Sequence, residues 1–326
     1  MKKFIKCFIV LILCLVSFVG FIGCKSSEDN ILSIYMPDGA PALSMSKIMY
    51  EQENFGFETA NYSVVSASNI SNYILQKTAD VAIIPVNMAS KLLASGEYKV
   101  VATATNGNIF VAGNKDIVNL SDLKGEVVGV IGQGNVPDLN FRYLLSEAGI
   151  QYEIGETAID GKVVIRYYSE ASNLLPMLKN EVLNFGLLPE PAVSKLLSLN
   201  NKFNIELDIQ KLWQGGSYPQ AVVVVRNTLC NNSKFIDNLC LKMQENESWV
   251  IENPAIAIDA INAHYTEGVV PSLSNTLSSK TIERCNIKIR KTTSEEINRI
   301  TDYLSAIKTI ESSAVGNNFD NIFWEF

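Results

Sequence analysis

Val81-Ala82-Ile83-Ile84-Pro85-Val86-Asn87-Met88-Ala89-Ser90-Lys91-Leu92-Leu93 is matched, about a hundred residues later, by Phe185-Gly186-Leu187-Leu188-Pro189-Glu190-Pro191-Ala192-Val193-Ser194-Lys195-Leu196-Leu197. Each stretch is an apolar run, a proline, a short turn and a helical pattern ending Ser-Lys-Leu-Leu. An unbroken apolar run of this length, closed by proline, reads as a strand with the proline at its end. Helical patterns at 74–77 and 177–180 precede the two runs. A second pair echoes the first in the same order. Ile34-Tyr35-Met36-Pro37-Asp38-Gly39 and Val130-Ile131-Gly132-Gln133-Gly134 are each followed by a helix with an early proline, Pro41 or Pro137. Two motifs repeated at similar offset predict two related α/β lobes.

Working outward, apolar runs predict strands at 32–36, 62–67, 81–84, 100–104, 109–112, 127–131, 163–167, 185–188 and 221–225. Amphipathic stretches between them predict helices at 43–52, 70–78, 87–93, 139–148 and 192–197. Polar, turn-rich breaks fall at 119–125 and 213–219. They divide the chain into lobe 1, residues 31–120 and 219–326, and lobe 2, residues 121–218. The tail carries helical patterns at 233–246, 254–264 and 293–309 and is expected to rejoin lobe 1.

The N-terminus stands apart from this plan. Lys2, Lys3 and Lys6 precede an uncharged stretch from Cys7 to Gly23, the pattern of an export signal over residues 1–23. Its length also suits a plain membrane span. Ile22-Gly23-Cys24 tips the balance, because it resembles a bacterial lipobox, whose cysteine is lipidated and becomes the first mature residue. Phe21 departs from the leucine usual at the first lipobox position. Residues 24–30 are then a polar tether, and the protein is expected on the extracytoplasmic face of the bacterial cell membrane.

The formal net charge is −7, and loss of the three signal lysines makes the mature chain more acidic still. With no basic run, nucleic acid and anionic membrane patches are not expected partners. Cys230, Cys240 and Cys285 remain after the signal and Cys24 are set aside. They allow one disulfide, for example Cys230–Cys240, or reduced core thiols. With one histidine, His264, and no CxxC, no zinc site is expected. There is no Walker loop, HExxH or GxSxG, and Gly132-Gln133-Gly134 lacks the third glycine of a dinucleotide loop. No cofactor and no catalytic set is predicted.

Met36-Pro37-Asp38-Gly39-Ala40-Pro41-Ala42-Leu43, Asp122-Leu123-Lys124-Gly125-Glu126-Val127-Val128-Gly129-Val130 and Leu187-Leu188-Pro189-Glu190-Pro191, in this order and spacing, resemble one family. It is the ABC-transporter substrate-binding proteins of the nitrate/sulfonate/taurine and thiamine-pyrimidine-precursor type. The resemblance covers residues 31–265. It implies a type II periplasmic-binding-protein fold, with two crossover strands joining the lobes. It also implies closure over a small molecule and delivery to an ABC permease. The protein is expected to act as a monomer. The competing functions are an enzyme of cofactor biosynthesis on the same fold and a ligand-sensing lipoprotein.

Ligands of open α/β sheets sit at the carboxyl ends of strands, where helix N-termini offer free amides. The candidates from lobe 1 are Asp38, Gly39, Ala40, Ser66, Ser68, Asn69, Asn87 and Asn106. Those from lobe 2 are Gln133, Gly134, Asn135 and Glu190, with Tyr218 beside the return crossover. Asp38, Ser68 and Asn87 also suit helix capping, and the two glycines suit tight turns. Glu190, held between two prolines at a strand end, is expected to project into the cleft and accept from a ligand N–H. Tyr35 and Tyr218 are expected to stack on a ring. The expected ligand is therefore a neutral or weakly cationic heterocycle or vitamin precursor. A sulfonate held by backbone amides is the alternative.

Overall fold

The computed structural model of the protein describes residues 31–273 and 277–326. The expected signal, Cys24 and the tether lie outside them. Four strands open the chain: β1 (Ile31–Pro37), β2 (Thr59–Val65), β3 (Val81–Pro85) and β4 (Tyr98–Asn106). Between them come helices α1 (Ala40–Leu43), α2 (Ser46–Glu51), α3 (Ile70–Leu75) and α4 (Val86–Leu92). A second set follows, β5 (Ile109–Gly113), β6 (Val127–Ile131), β7 (Tyr152–Ile154), β8 (Val163–Tyr168), β9 (Phe185–Pro189) and β10 (Asn204–Asp208). Its helices are α5 (Val136–Glu147), α6 (Ala171–Lys179) and α7 (Ala192–Leu199). The chain then returns through β11 (Pro219–Arg226), α8 (Asn227–Cys230), α9 (Ser233–Glu252), α10 (Pro254–Asn262), α11 (Ser279–Arg284), β12 (Ile287–Lys291) and α12 (Ser294–Lys308).

These strands form two six-stranded sheets, ordered β12-β4-β11-β3-β1-β2 and β10-β5-β9-β6-β8-β7. The repeated motifs occupy matching places. β3 lies between parallel β1 and antiparallel β11, and β9 lies between parallel β6 and antiparallel β5. The apolar runs are buried as their composition requires; Val81, Ala82, Ile83 and Ile84 are all fully covered. In lobe 2 the helices press close to the sheet. A methyl group added at Gly129 or Gly186 would lie 2.4 Å from Leu174 or 2.5 Å from Leu178, so only glycine permits this packing.

The boundary expected near residue 120 is corrected. Ile109 already pairs with Pro189 in the second sheet, so the chain passes between sheets at Gly107-Asn108. The polar stretch around residue 120 is instead a surface loop of lobe 2. In it a short 3-10 turn, Leu120–Leu123, is capped by Asn119 and Asp122. The return passes between Asp208 and Pro219. Strands β7, β10 and β12 had no sequence expectation; β10 and β12 are edge strands with charged residues at alternate positions.

One apolar core covers a face of the first sheet, gathering Leu32, Ile48, Leu239 and Met243 from β1, α2 and α9. Another lies under α6 and α7 in lobe 2. A third runs through both lobes, from Ile84 and Val130 to Leu139, Tyr303 and Ile307. Helix α12 thus packs on α4 of lobe 1 and α5 of lobe 2, and Asn140 Nδ2 donates to Tyr303 Oη across that seam at 3.1 Å. Cys230, Cys240 and Cys285 are free and buried. Burial pushes the Cys230 thiol up to about 11 and the Cys240 thiol up to about 12, which makes them inert core side chains.

Candidate functional site

The strand ends of both sheets open on one cavity of about 590 Å³. Lobe 1 contributes Asp38, Gly39, Ala40 and Pro41 after β1, Ser66, Ala67 and Ser68 after β2, and Pro85 at the end of β3. Lobe 2 contributes Gly132 and Asn135 after β6, Ser169 and Glu170 after β8, and Glu190 and Pro191 after β9. Asn108 and Gln220 come from the two crossovers, and Val269–Ser272 of the tail closes another side. Eight of the ten prolines in the chain line this cavity, so much of its wall is rigid, apolar and without N–H groups. Among the described lining residues no side chain is aromatic.

The crossovers are tied to each other. Gly107 N donates to Tyr218 O at 2.9 Å and Ile109 N to Gln210 Oε1 at 2.8 Å. Asn108 and Gln220 pair through two bonds, Gln220 Nε2 to Asn108 Oδ1 at 2.7 Å and Asn108 N to Gln220 Oε1 at 3.2 Å. Asn108 O also accepts from Glu190 N at 2.9 Å. A fully buried backbone segment is thereby satisfied beside the cavity.

The cavity brings together Asp38, Gly39, Ala40, Ser66, Ser68, Asn135 and Glu190. The Asp38 carboxylate is already engaged, accepting from Tyr265 Oη at 2.6 Å and Ser272 N at 2.7 Å. Burial, and then the charge of Asp38, raise the Tyr265 hydroxyl well above its ordinary value, so this phenol is a donor at every relevant pH. Ser66 Oγ and Ser68 Oγ lie 2.7 Å apart, and Ser68 Oγ donates across the lobes to Glu170 Oε1 at 2.9 Å. Gly39 adopts φ 98°, a conformation that favours glycine, and Pro191 of the other lobe approaches it closely.

Glu190 is placed at the wall, yet its carboxylate turns away from the expected partner. It is 1% exposed; Oε1 accepts from Arg284 Nε at 2.6 Å and from Ser194 Oγ at 2.9 Å, and Oε2 from Ser194 N at 3.2 Å. The other expected residues lie elsewhere. Asn87 is buried in the interlobe seam, donating to the carbonyls of Gly134 at 3.1 Å and Ala314 at 3.2 Å. Asn106 accepts from Arg299 at 2.7 Å. Asn69 and Gln133 are exposed and outside the lining. Gly134 serves the turn before α5, donating to Asp138 at 2.8 Å. Tyr218 is buried beside Trp213 and Tyr303, and Tyr35 stacks on Tyr73 at 4.2 Å, so neither ring meets the cavity.

Residues without a sequence expectation complete the site: Asn108, Ser169, Glu170, Ser172, Lys179, Lys195, Gln220 and the 269–272 segment. Lys195 Nζ reaches Pro271 O at 3.0 Å. Three lobe 2 helices, α5, α6 and α7, start at the cavity from Asn135, Glu170 and Pro191, none of which caps its helix through a side-chain bond. Ser194 N in the first turn of α7 is already taken by Glu190 Oε2 at 3.2 Å, and Asn173 N in that of α6 by Glu170 O at 3.1 Å; the first-turn amides left over favour oxygen-rich or anionic groups. Lobe 2 therefore presents amides, two lysines and the Glu170 carboxylate, the last held by Ser68, while Pro37, Pro41, Ile84, Val269 and Val270 make the facing side largely apolar. Among the described residues no cluster of His, Cys, Asp and Glu suits a metal ion, and no helix is long and apolar enough to cross a membrane.

No protein-family profile matches the chain, and no curated protein matches it by sequence. Solved structures do match by shape. An ABC transporter structure from Parabacteroides distasonis aligns with a TM-score of 0.74 at 18% identity, covering 91% of this chain and 99% of that one. The periplasmic aliphatic sulphonate binding protein of Escherichia coli aligns at 0.66 with 11% identity, covering 90% and 92%. The ligand-binding component of an ABC-type import system from Staphylococcus aureus, with zinc bound, aligns at 0.61 with 12% identity, covering 91% and 97%. The chain therefore has the two-lobed α/β fold, two sheets joined by two crossings, of the ABC-importer binding proteins it resembles.

Proposed function

We propose that this protein is a lipid-anchored, extracytoplasmic solute-binding protein that captures a small molecule between its lobes and passes it to an ABC permease. The observation that carries this reading is the cavity of about 590 Å³ walled by strand-end loops of both sheets. Its size suits a single small ligand. The lipid anchor rests on Ile22-Gly23-Cys24 after a lysine-led apolar run, and a non-enzymatic role on the lack of a catalytic motif in the sequence.

The cavity chemistry changes the ligand preference expected from sequence. A heterocycle gripped by Glu190 and stacked on tyrosines has little support, because Arg284 holds that carboxylate and Tyr35 and Tyr218 pack elsewhere. An organic anion with an apolar body, such as a sulfonate or carboxylate, suits the amides at the starts of α5 and α6, with Lys179 and Lys195, on one side and the proline-rich surface on the other. A thermal-shift panel tests this. A ligand at a hundred times its Kd adds about 2.7 kcal/mol to stability. Stabilisation by alkyl or cyclic sulfonates or carboxylates is expected. Stabilisation by cationic heterocycles alone would overturn the ligand class, and none from any small-molecule class would overturn the binding function.

A further inference from the structure

The bonds around Glu190 join two lobes. Glu190 and Ser194 belong to lobe 2, at the start of α7. Thr281 and Arg284 lie on α11, in the tail that has returned to lobe 1. Arg284 Nε meets Glu190 Oε1 at 2.6 Å, Arg284 Nη2 meets Ser194 Oγ at 2.8 Å, and Ser194 Oγ lies 3.1 Å from Thr281 Oγ1. One residue further along α7, Lys195 Nζ takes the Pro271 carbonyl of the same tail. We propose that Glu190, Ser194, Thr281 and Arg284 form a clasp that holds the lobes together before any ligand enters, and that opening the cleft means breaking it.

The chemistry of the cluster supports a clasp over a static brace. The Glu190 side chain is fully covered, whereas a quarter of the Arg284 side chain stays exposed. Separation of α7 from α11 would return both charges to water, so the cost of parting them is far below that of stranding a buried charge. What opening gives up is charge-assisted hydrogen bonding, enough to favour the closed form by tenfold or more. The covalent path allows the separation. Between Glu190 and Arg284 the chain passes through the return crossover, so no short loop ties α7 to α11. A second cross-lobe bond, Ser68 to Glu170, joins different loops and reports on the same motion from a distance.

The test uses the ligand-free full-length protein, so it stands whether or not the ligand class above is right. Hydrogen exchange is followed by mass spectrometry in wild type, Arg284→Ala, Glu190→Gln and the double variant. The expected result is exchange several-fold faster in both singles at residues 66–69 and 169–173, the distant pair of loops. Peptides from the centres of the two sheets should be unchanged. The double variant should add nothing beyond the larger single, because both remove one interaction. Faster exchange confined to α7 and α11, or no change at all, would overturn the clasp and leave Arg284 a local support. If Arg284→Ala does not fold, Glu190→Gln, which keeps the shape of the side chain, carries the comparison alone.

Discussion

Gly107 is where the two sheets meet with least room, and Gly107→Ala puts that to a direct test. A Cβ at this position would stand 2.7 Å from Gln210 Cγ, 2.7 Å from Tyr218 Cε1 and 2.8 Å from Tyr218 Cζ. Unstrained carbon contacts sit at about 3.5–4.0 Å, so the overlap approaches an ångström. Gln210 has little freedom to yield, since its Oε1 accepts from Ile109 N and its Nε2 donates to Asp208. Tyr218 has less, being stacked on Tyr303 at 5.4 Å and packed against Trp213 at 5.4 Å. The crossing strands must therefore shift, at a cost of about 1–3 kcal/mol for overpacking. For about 2 kcal/mol, Tm should fall by roughly 3 °C in a chain of this size. Gly155→Ala is the control. Its added carbon would meet only Val164, at 3.5 Å, and its stability should be unchanged or slightly raised. Scanning calorimetry of both variants decides the matter. If Gly107→Ala melts within about 1 °C of wild type, the crossovers are not packed as described.

Burial lowers His264 below its ordinary value of 6.5, so in acid the unfolded chain takes up a proton more readily than the native one. The stabilisation from a neutral imidazole is complete above about pH 6.5 and is lost as pH falls through the lowered native value. Urea melts should show His264→Gln losing less stability than wild type between pH 7.5 and 5.5; equal losses would refute this. At the N-terminus, Cys24→Ser should abolish labelling by a fatty-acid analogue in the producing cell, and undiminished labelling would exclude this cysteine as the lipid carrier.

The elements that were plain in the sequence are those whose burial demands an unbroken apolar run, such as Val81–Pro85 and Phe185–Pro189. Edge strands β10 and β12 escaped because Asn204-Ile205-Glu206-Leu207-Asp208 and Ile287-Lys288-Ile289-Arg290-Lys291 mix charge with apolar residues on short segments. The first crossing escaped for the opposite reason. Thr103 to Ala112 runs through with only Asn106-Gly107-Asn108 to interrupt it, whereas the louder polar signal near residue 120 marks a surface turn. At the site, the loop after β1 was legible from its strand-turn-helix pattern. Glu170 was not, because Pro176 inside α6 disguised the helix that Glu170 begins. The 269–272 segment follows no strand or helix pattern at all, and only tertiary structure brings it to the cavity.

All six strands of the second sheet fall between Ile109 and Asp208, whereas the first sheet needs β11 and β12 from the far end of the chain. Lobe 2 is in effect an insertion within lobe 1. A chain emerging N-terminus first has the whole of lobe 2 available once residue 208 is out, but β3 and β4 still lack the strand that separates them. Completion of lobe 1 must await residues 219–291. For a chain that emerges from its leading end, this order keeps lobe 1 open until nearly the whole chain is out.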